Sequence, residues 1–199
     1  MTHHDPLAIP TRAEALREAT GATHKTLDQA IMAARPFDNV QNYGRFLKVQ
    51  QAFHRDVAPL YRRADLSGLI ADLDQRSRLD AITQDAADLG VELSQDSATA
   101  ATDKLDMSEA LGWLYVVEGS NLGAAFLFKA AGKLGLSQDH GARHLAEAPE
   151  GRAVQWRAFK QGLDAAEFGP DEEARVIDGA NAAFARVQAL VGQHMQPSG

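Results

Sequence analysis

A chain of 199 residues accommodates one domain with a substantial core and leaves little room for two. Apolar residues make up 45%, charged residues 24%, and the formal charge is −7, which argues against nucleic acid and for a small ligand or an acidic-tolerant partner. Cysteine is absent, so disulfides, thiolate-ligated metals and cysteine-type zinc sites are excluded.

The opening MTHHDPLAIP has neither the basic region nor the apolar stretch of a signal peptide, and no apolar run approaches the ~20 residues of a membrane span. A cytoplasmic protein without membrane contact is expected. Residues 1–10, with His3 and His4, read as a disordered segment, residues 11–194 as the domain, and 195–199 as a flexible tail. Thr11 with Glu14 is a capping box, and Leu16, Thr20, Thr23, Leu27 and Ile31 follow at helical spacing, predicting a helix over 11–33 bounded by Pro36. A second helix carries Tyr43, Phe46, Leu47, Gln50, Phe53, Val57 and Leu60, with Pro59 bending or ending it. Residues 65–90 read as shorter helices and 94–103 as a polar connection. Asp106 with Glu109 opens a helix whose stripe is Leu111, Leu114, Tyr115, Glu118, Leu122, Ala125 and Phe126, running to about Leu134. Pro149 is expected to start a helix holding Val154, Trp156 and Phe159. Pro170, followed by Asp171, Glu172 and Glu173, starts the last helix, with Val176, Ile177, Ala180, Phe184, Val187 and Val191 buried. With no internal repeat and no alternating strand pattern, the class is all-α.

EGSNLGAAF, at 118–126, interrupts the chemistry of an otherwise good helix. Two interior glycines cost roughly 2 kcal/mol against alanine, and Gly119 and Gly123, four apart, bare one face. That face suits close helix packing or a flat ligand lying on the backbone, and spacing alone favours packing. Tyr115 and Phe126 would flank such a shelf. His24 lies near the buried stripe of the first helix, where a lone histidine is more often a satisfied core residue than a ligand. Arg17, two turns and ~10 Å earlier on the same face, matches the separation of a haem iron from its propionates. Neutral imidazole suits iron, and guanidinium suits a carboxylate. His54 is a fallback ligand at the edge of the second helix. His140 and His144 mark a surface turn and short helix, and His194 lies near the tail. Glu-x-x-His, HExxH, GxSxG and the phosphate-loop pattern are all missing.

ALREATGATHKTLD (15–28) resembles the proximal helix of the haem oxygenase family. LGWLYVVEGSNLGAAFL (111–127) is similar to its glycine-rich distal helix in the bacterial form, and Lys160, Pro170 and VIDGANAAF (176–184) fall at the family's separations. The resemblance covers residues 11–192. It implies a single-domain helical fold with haem between a proximal helix and a kinked distal helix. It implies His24 as the iron ligand, Gly119, Ser120 and Gly123 over the iron, and Asn121 within the same kink. It also implies Arg17, Tyr115, Lys160 and Lys129 near the propionates and Phe184 packed on the haem. Mammalian members carry an Asp where this chain has Ser120, so the proton route must differ.

The resemblance further implies that haem is both cofactor and substrate, cleaved with O2 to biliverdin, ferrous iron and carbon monoxide. Arg17 and Tyr115 resemble the pattern of members that yield biliverdin IXα; Asn and Phe there accompany β or δ cleavage. No flavin or nicotinamide motif is present, so a ferredoxin, flavodoxin or flavin reductase would supply electrons to what is expected to be a monomer. A haem carrier or sensor with the same pocket, and a helical interaction protein with GSNLG as a packing seam, are the rival readings.

Overall fold

The computed structural model describes residues 10–94 and 100–196. The expected N-terminal segment 1–9, the centre of the polar connection (95–99) and residues 197–199 lie outside the described residues. Among these residues there are seven α-helices and no strand: α1 Arg12–Ala33, α2 Val40–Val57, α3 Ala64–Ser67, α4 Leu79–Asp88, α5 Met107–Gly132, α6 Arg152–Ala165 and α7 Pro170–His194. Three 3-10 turns join them: η1 Leu60–Arg62, η2 Leu73–Arg76 and η3 Arg143–Leu145.

The helix starts follow from their caps. Thr11 Oγ1 accepts from the Glu14 amide, and Glu14 Oε2 accepts from the Thr11 amide at 2.9 Å. Asp106 and Glu109 repeat the device at α5, and Pro170 opens α7 with three acids in its first turn. The start of α6 differs from expectation. Residues 148–151 form a turn closed by the Gly151 amide on Ala148 O, and Gly151, at φ 91°, delays the helix to Arg152. Helix α5 stops at Gly132, two residues early, because a tight turn with Gly135 at φ 79° follows. Met195, expected in the tail, departs from that expectation. Met195 is 4% exposed in the core, its amide on Val191 O.

Helix α5 is apolar and long enough to cross a bilayer by composition, but here it packs against α7, α6, η3, α2 and α3. Its main neighbour is α7, against which α1 and α2 also lie, while α6 closes on α5 and α1. Two glycines allow the α5–α7 approach. A Cβ on Gly112 would sit 2.1 Å from Val176 O, and one on Gly179 2.2 Å from Glu109 O. A second anchor is ionic. Glu118, buried in α5, accepts from Tyr61 Oη at 3.1 Å and Arg76 Nη1 at 3.0 Å. A third fixes α1. Arg12 donates to Leu163 O and Ala166 O, pairs with Glu173 at 2.6 Å and lies 4.9 Å from the Phe168 ring centroid. These ties hold α1 and α5 apart across a cavity.

Candidate active site

The cavity encloses about 640 Å3, a size that suits a flat ligand of several fused rings. Helix α1 contributes Arg17, Gly21 and His24 to one wall, and α5 contributes Tyr115, Gly119, Ser120, Gly123 and Phe126 to the other. Helix α2 and η3 close the inner end with Gln50, His54 and His144, while Phe184 of α7 and Trp156 of α6 complete the lining.

On the α1 wall, His24 Nδ1 lies 3.1 Å from Asp28 Oδ2, one turn on. A carboxylate only accepts, so in the neutral imidazole Nδ1 carries the proton and Nε2 is left as a bare lone pair. That is how a metal-ligating imidazole is prepared. The His24 side chain is 61% exposed and meets the edge of Phe184, ring centroids 5.8 Å apart. A core histidine would be enclosed; this one is presented. Asp28 has a sequence signal, the i,i+4 spacing from His24, that pattern reading passed over. Gly21, three residues before His24, was passed over as well.

On the α5 wall the glycines separate into two kinds. Gly112 is demanded by α7, whereas a Cβ on Gly123 would meet nothing within 4 Å and one on Gly119 only the Trp156 ring at 3.8 Å. Packing therefore does not require glycine at 119 or 123, and the reading of GSNLG as a packing seam fails. The helix stays α-helical through this segment, and two of its carbonyls take side-chain donors. Ser120 Oγ donates to Val117 O at 2.7 Å, and Arg152 Nη1 donates to Asn121 O at 2.8 Å. Phe126 is 65% exposed at the rim, where an apolar ligand would cover it.

Tyr115 and Arg17 line the same cavity, and burial raises the Tyr115 hydroxyl pKa against the opposing field of Arg17. Trp156 stands 5.7 Å from Tyr115, centroid to centroid. Lys129, exposed near the end of α5, and Lys160, half-buried in α6, do not line the cavity. Two histidines depart from expectation. His54 sits inside rather than at an edge, and burial, with His144 and Arg78, lowers its pKa to about 3. His144 is no surface residue, because Asp85 of α4 draws it inward; a separation of 59 positions along the chain hid that partner. His140 does lie exposed.

A sequence profile described as Heme oxygenase matches residues 11–193. The chain belongs to the haem oxygenase family. It is 42% identical to Heme oxygenase PigA of Pseudomonas aeruginosa over 90% of this chain and 91% of that one. Among solved structures, the NO- and CO-bound haem oxygenase of Neisseria meningitidis matches with a TM-score of 0.88 at 42% identity, covering 94% of this chain and 93% of that one. The haem oxygenase of Leptospira interrogans shares the fold alone, with a TM-score of 0.76 at 16% identity over 92% of this chain and 100% of that one. This haem oxygenase thus has the all-α fold the resemblance implied, and its cavity residues fit haem: an exposed imidazole and two helix glycines with no packing contact line one largely apolar cavity.

Proposed function

We propose that this chain cleaves haem, using O2 and electrons from an external donor, to biliverdin IXα, ferrous iron and carbon monoxide. The observation that carries the reading is His24 Nε2, freed by Asp28, standing in the same cavity as Gly119 and Gly123, which no packing contact requires. Haem supplies the iron that activates oxygen and the macrocycle that is consumed. The protein's own residues do the rest. His24 would hold the iron, the glycine face of α5 would let the ring lie close to the backbone, and Phe126, Leu127 and Phe184 would keep water from it.

Arg17 and Tyr115 would pair with the propionates and so select which meso carbon is cleaved. A guanidinium on a carboxylate fixes orientation as well as charge. Electrons come from a ferredoxin, flavodoxin or flavin reductase, since the sequence holds no binding pattern for either electron-carrying cofactor.

Hemin titration is expected to give a one-to-one complex with a Soret band that His24→Ala loses. Adding a reductase system under air is expected to bleach that band with release of bilin and carbon monoxide. A carrier or sensor would bind hemin and keep the band. Chromatography of the bilin tests the regiochemistry: the α isomer is expected, and Arg17→Ala is expected to yield a mixture. Non-α product from the native chain would sink that part of the reading.

A further inference from the structure

The stretch of α5 that lines the cavity has little packing to hold it. A Cβ on Gly123 would meet nothing within 4 Å, one on Gly119 only the Trp156 ring, and Leu122 and Phe126 are 40% and 65% exposed. Backbone with so few side-chain contacts opens and shifts readily, whereas a wall that positions a reacting ligand has to stay put. Among the described residues, the side chain from outside α5 that hydrogen-bonds to residues 119–127 is Arg152.

Arg152 donates through Nη1 to Asn121 O at 2.8 Å and through Nη2 to Leu145 O. Asn121 belongs to α5 and Leu145 to η3, and both line the cavity, whereas Arg152 does not. The guanidinium therefore grips two pieces of the wall from behind. A carbonyl has two lone pairs, so Asn121 O takes this donor while α5 stays α-helical. Helix α6 itself has no use for a cation at this position. Gly151, at φ 91°, makes Arg152 the first residue of α6, and a positive charge is unfavourable at that end of a helix. The side chain is half-buried, and burial lowers its pKa, with Glu147 opposing and Arg78 adding to the effect. Among the described residues its side-chain hydrogen bonds go to backbone carbonyls and none to a carboxylate. Local preference opposes the charge here, and the two wall carbonyls account for it.

We propose that Arg152 is a positioning residue for the haem site, a clamp that ties α5 at Asn121 to η3 at Leu145 and fixes the glycine face where a bound ring rests. The proposal rests on the haem-cleavage reading. Glycine at 119 and 123 opens the face to the ring but removes the side chains that would otherwise anchor that turn of helix. Arg152 supplies the anchor from the opposite side, where it takes no room from the ligand. The planar fork of a guanidinium reaches two carbonyls at once, whereas a lysine is a single point donor on a flexible stem. Charge alone is therefore not sufficient at this position.

Two measurements test this. In haem-free protein, amide hydrogen exchange compares the native chain with Arg152→Met and Arg152→Lys. Both variants are expected to exchange about tenfold faster across residues 119–127, with α7 unchanged, because a charged donor on a carbonyl is lost locally. Native exchange at 119–127 in either variant would overturn the clamp. An equal rise in α7 would also overturn it, marking Arg152 as a general stabiliser. In the second measurement both variants are expected to bind hemin with affinity close to native, while bilin formation slows about tenfold. The C–O stretching band of the ferrous carbon monoxide complex is expected to shift and broaden as the wall loosens. A native band and a native bilin rate in Arg152→Met would leave a structural tie and overturn the positioning role. Failure of the native chain to bind hemin would refute the underlying reading instead, and the exchange measurement would still judge the clamp. If Arg152→Met does not fold, Arg152→Lys, which keeps the charge and the stem, carries both measurements.

Discussion

His24 is held by one turn of helix and one carboxylate, and that economy makes its behaviour open to test. Asp28 accepts from Nδ1 at 3.1 Å, and both side chains are well exposed, so the contact contributes little to folding. Its effect lies in ligand basicity, where loss of a carboxylate partner typically lowers metal affinity about 10- to 100-fold. Asp28→Asn is therefore expected to leave the denaturation midpoint unchanged and to weaken hemin binding about tenfold, read by Soret titration. Equal hemin affinity in the two proteins would mean that Asp28 is a bystander. At this scale the sequence exposed the residues whose types are rare in their setting: a histidine, an arginine two turns away, two glycines inside a helix. It hid those defined by a distant partner. Nothing around DHGARH signals that His144 turns inward, because Asp85, which draws it in, belongs to another helix.

At the scale of elements, α5 carries two sets of glycines with opposite duties. Gly112 is required by the protein, since an added Cβ would lie 2.1 Å from Val176 O; Gly123 has open space where its Cβ would be. Gly112→Ala is expected to cost about 3 kcal/mol or more, because backbone in α7 cannot yield as a side chain would. Gly123→Ala is expected to do the reverse in haem-free protein, raising stability by up to about 1 kcal/mol through helix propensity. Its methyl group would then occupy the cavity, so hemin affinity should fall on the order of tenfold. Urea unfolding with hemin titration separates the two variants. If Gly123→Ala unfolds more easily while binding hemin normally, the glycine serves packing after all. Helix spans were legible because capping boxes at Thr11 and Asp106 and the proline at 170 are local signals. The start of α6 was not, because Pro149 has a fixed φ equally suited to the turn that Gly151 completes.

At the scale of the whole molecule, the cavity is a gap kept open by ties at its ends: Arg12 joins α1 to α6 and α7, while Glu118 with Arg76 and Tyr61 steadies α5. Keeping polar groups inside such a gap has a consequence for stability against acid. His54 is buried and takes up a proton only near pH 3, while in the unfolded chain it would do so near its ordinary value of about 6.5. Below pH 6.5 the unfolded state therefore binds a proton that the folded state refuses. Its contribution to stability is complete above that pH and is lost as pH falls toward 3, at up to roughly 1.4 kcal/mol per pH unit. Between pH 7.5 and 5.5 the native chain is expected to lose about 1.4 kcal/mol from this histidine alone, on top of whatever its carboxylates contribute. His54→Leu removes the titrating group and keeps the site filled, so its loss over the same interval should be smaller by that amount. Urea midpoints for the two proteins at the two pH values give the comparison directly, and parallel losses would show that His54 can charge without unfolding the chain.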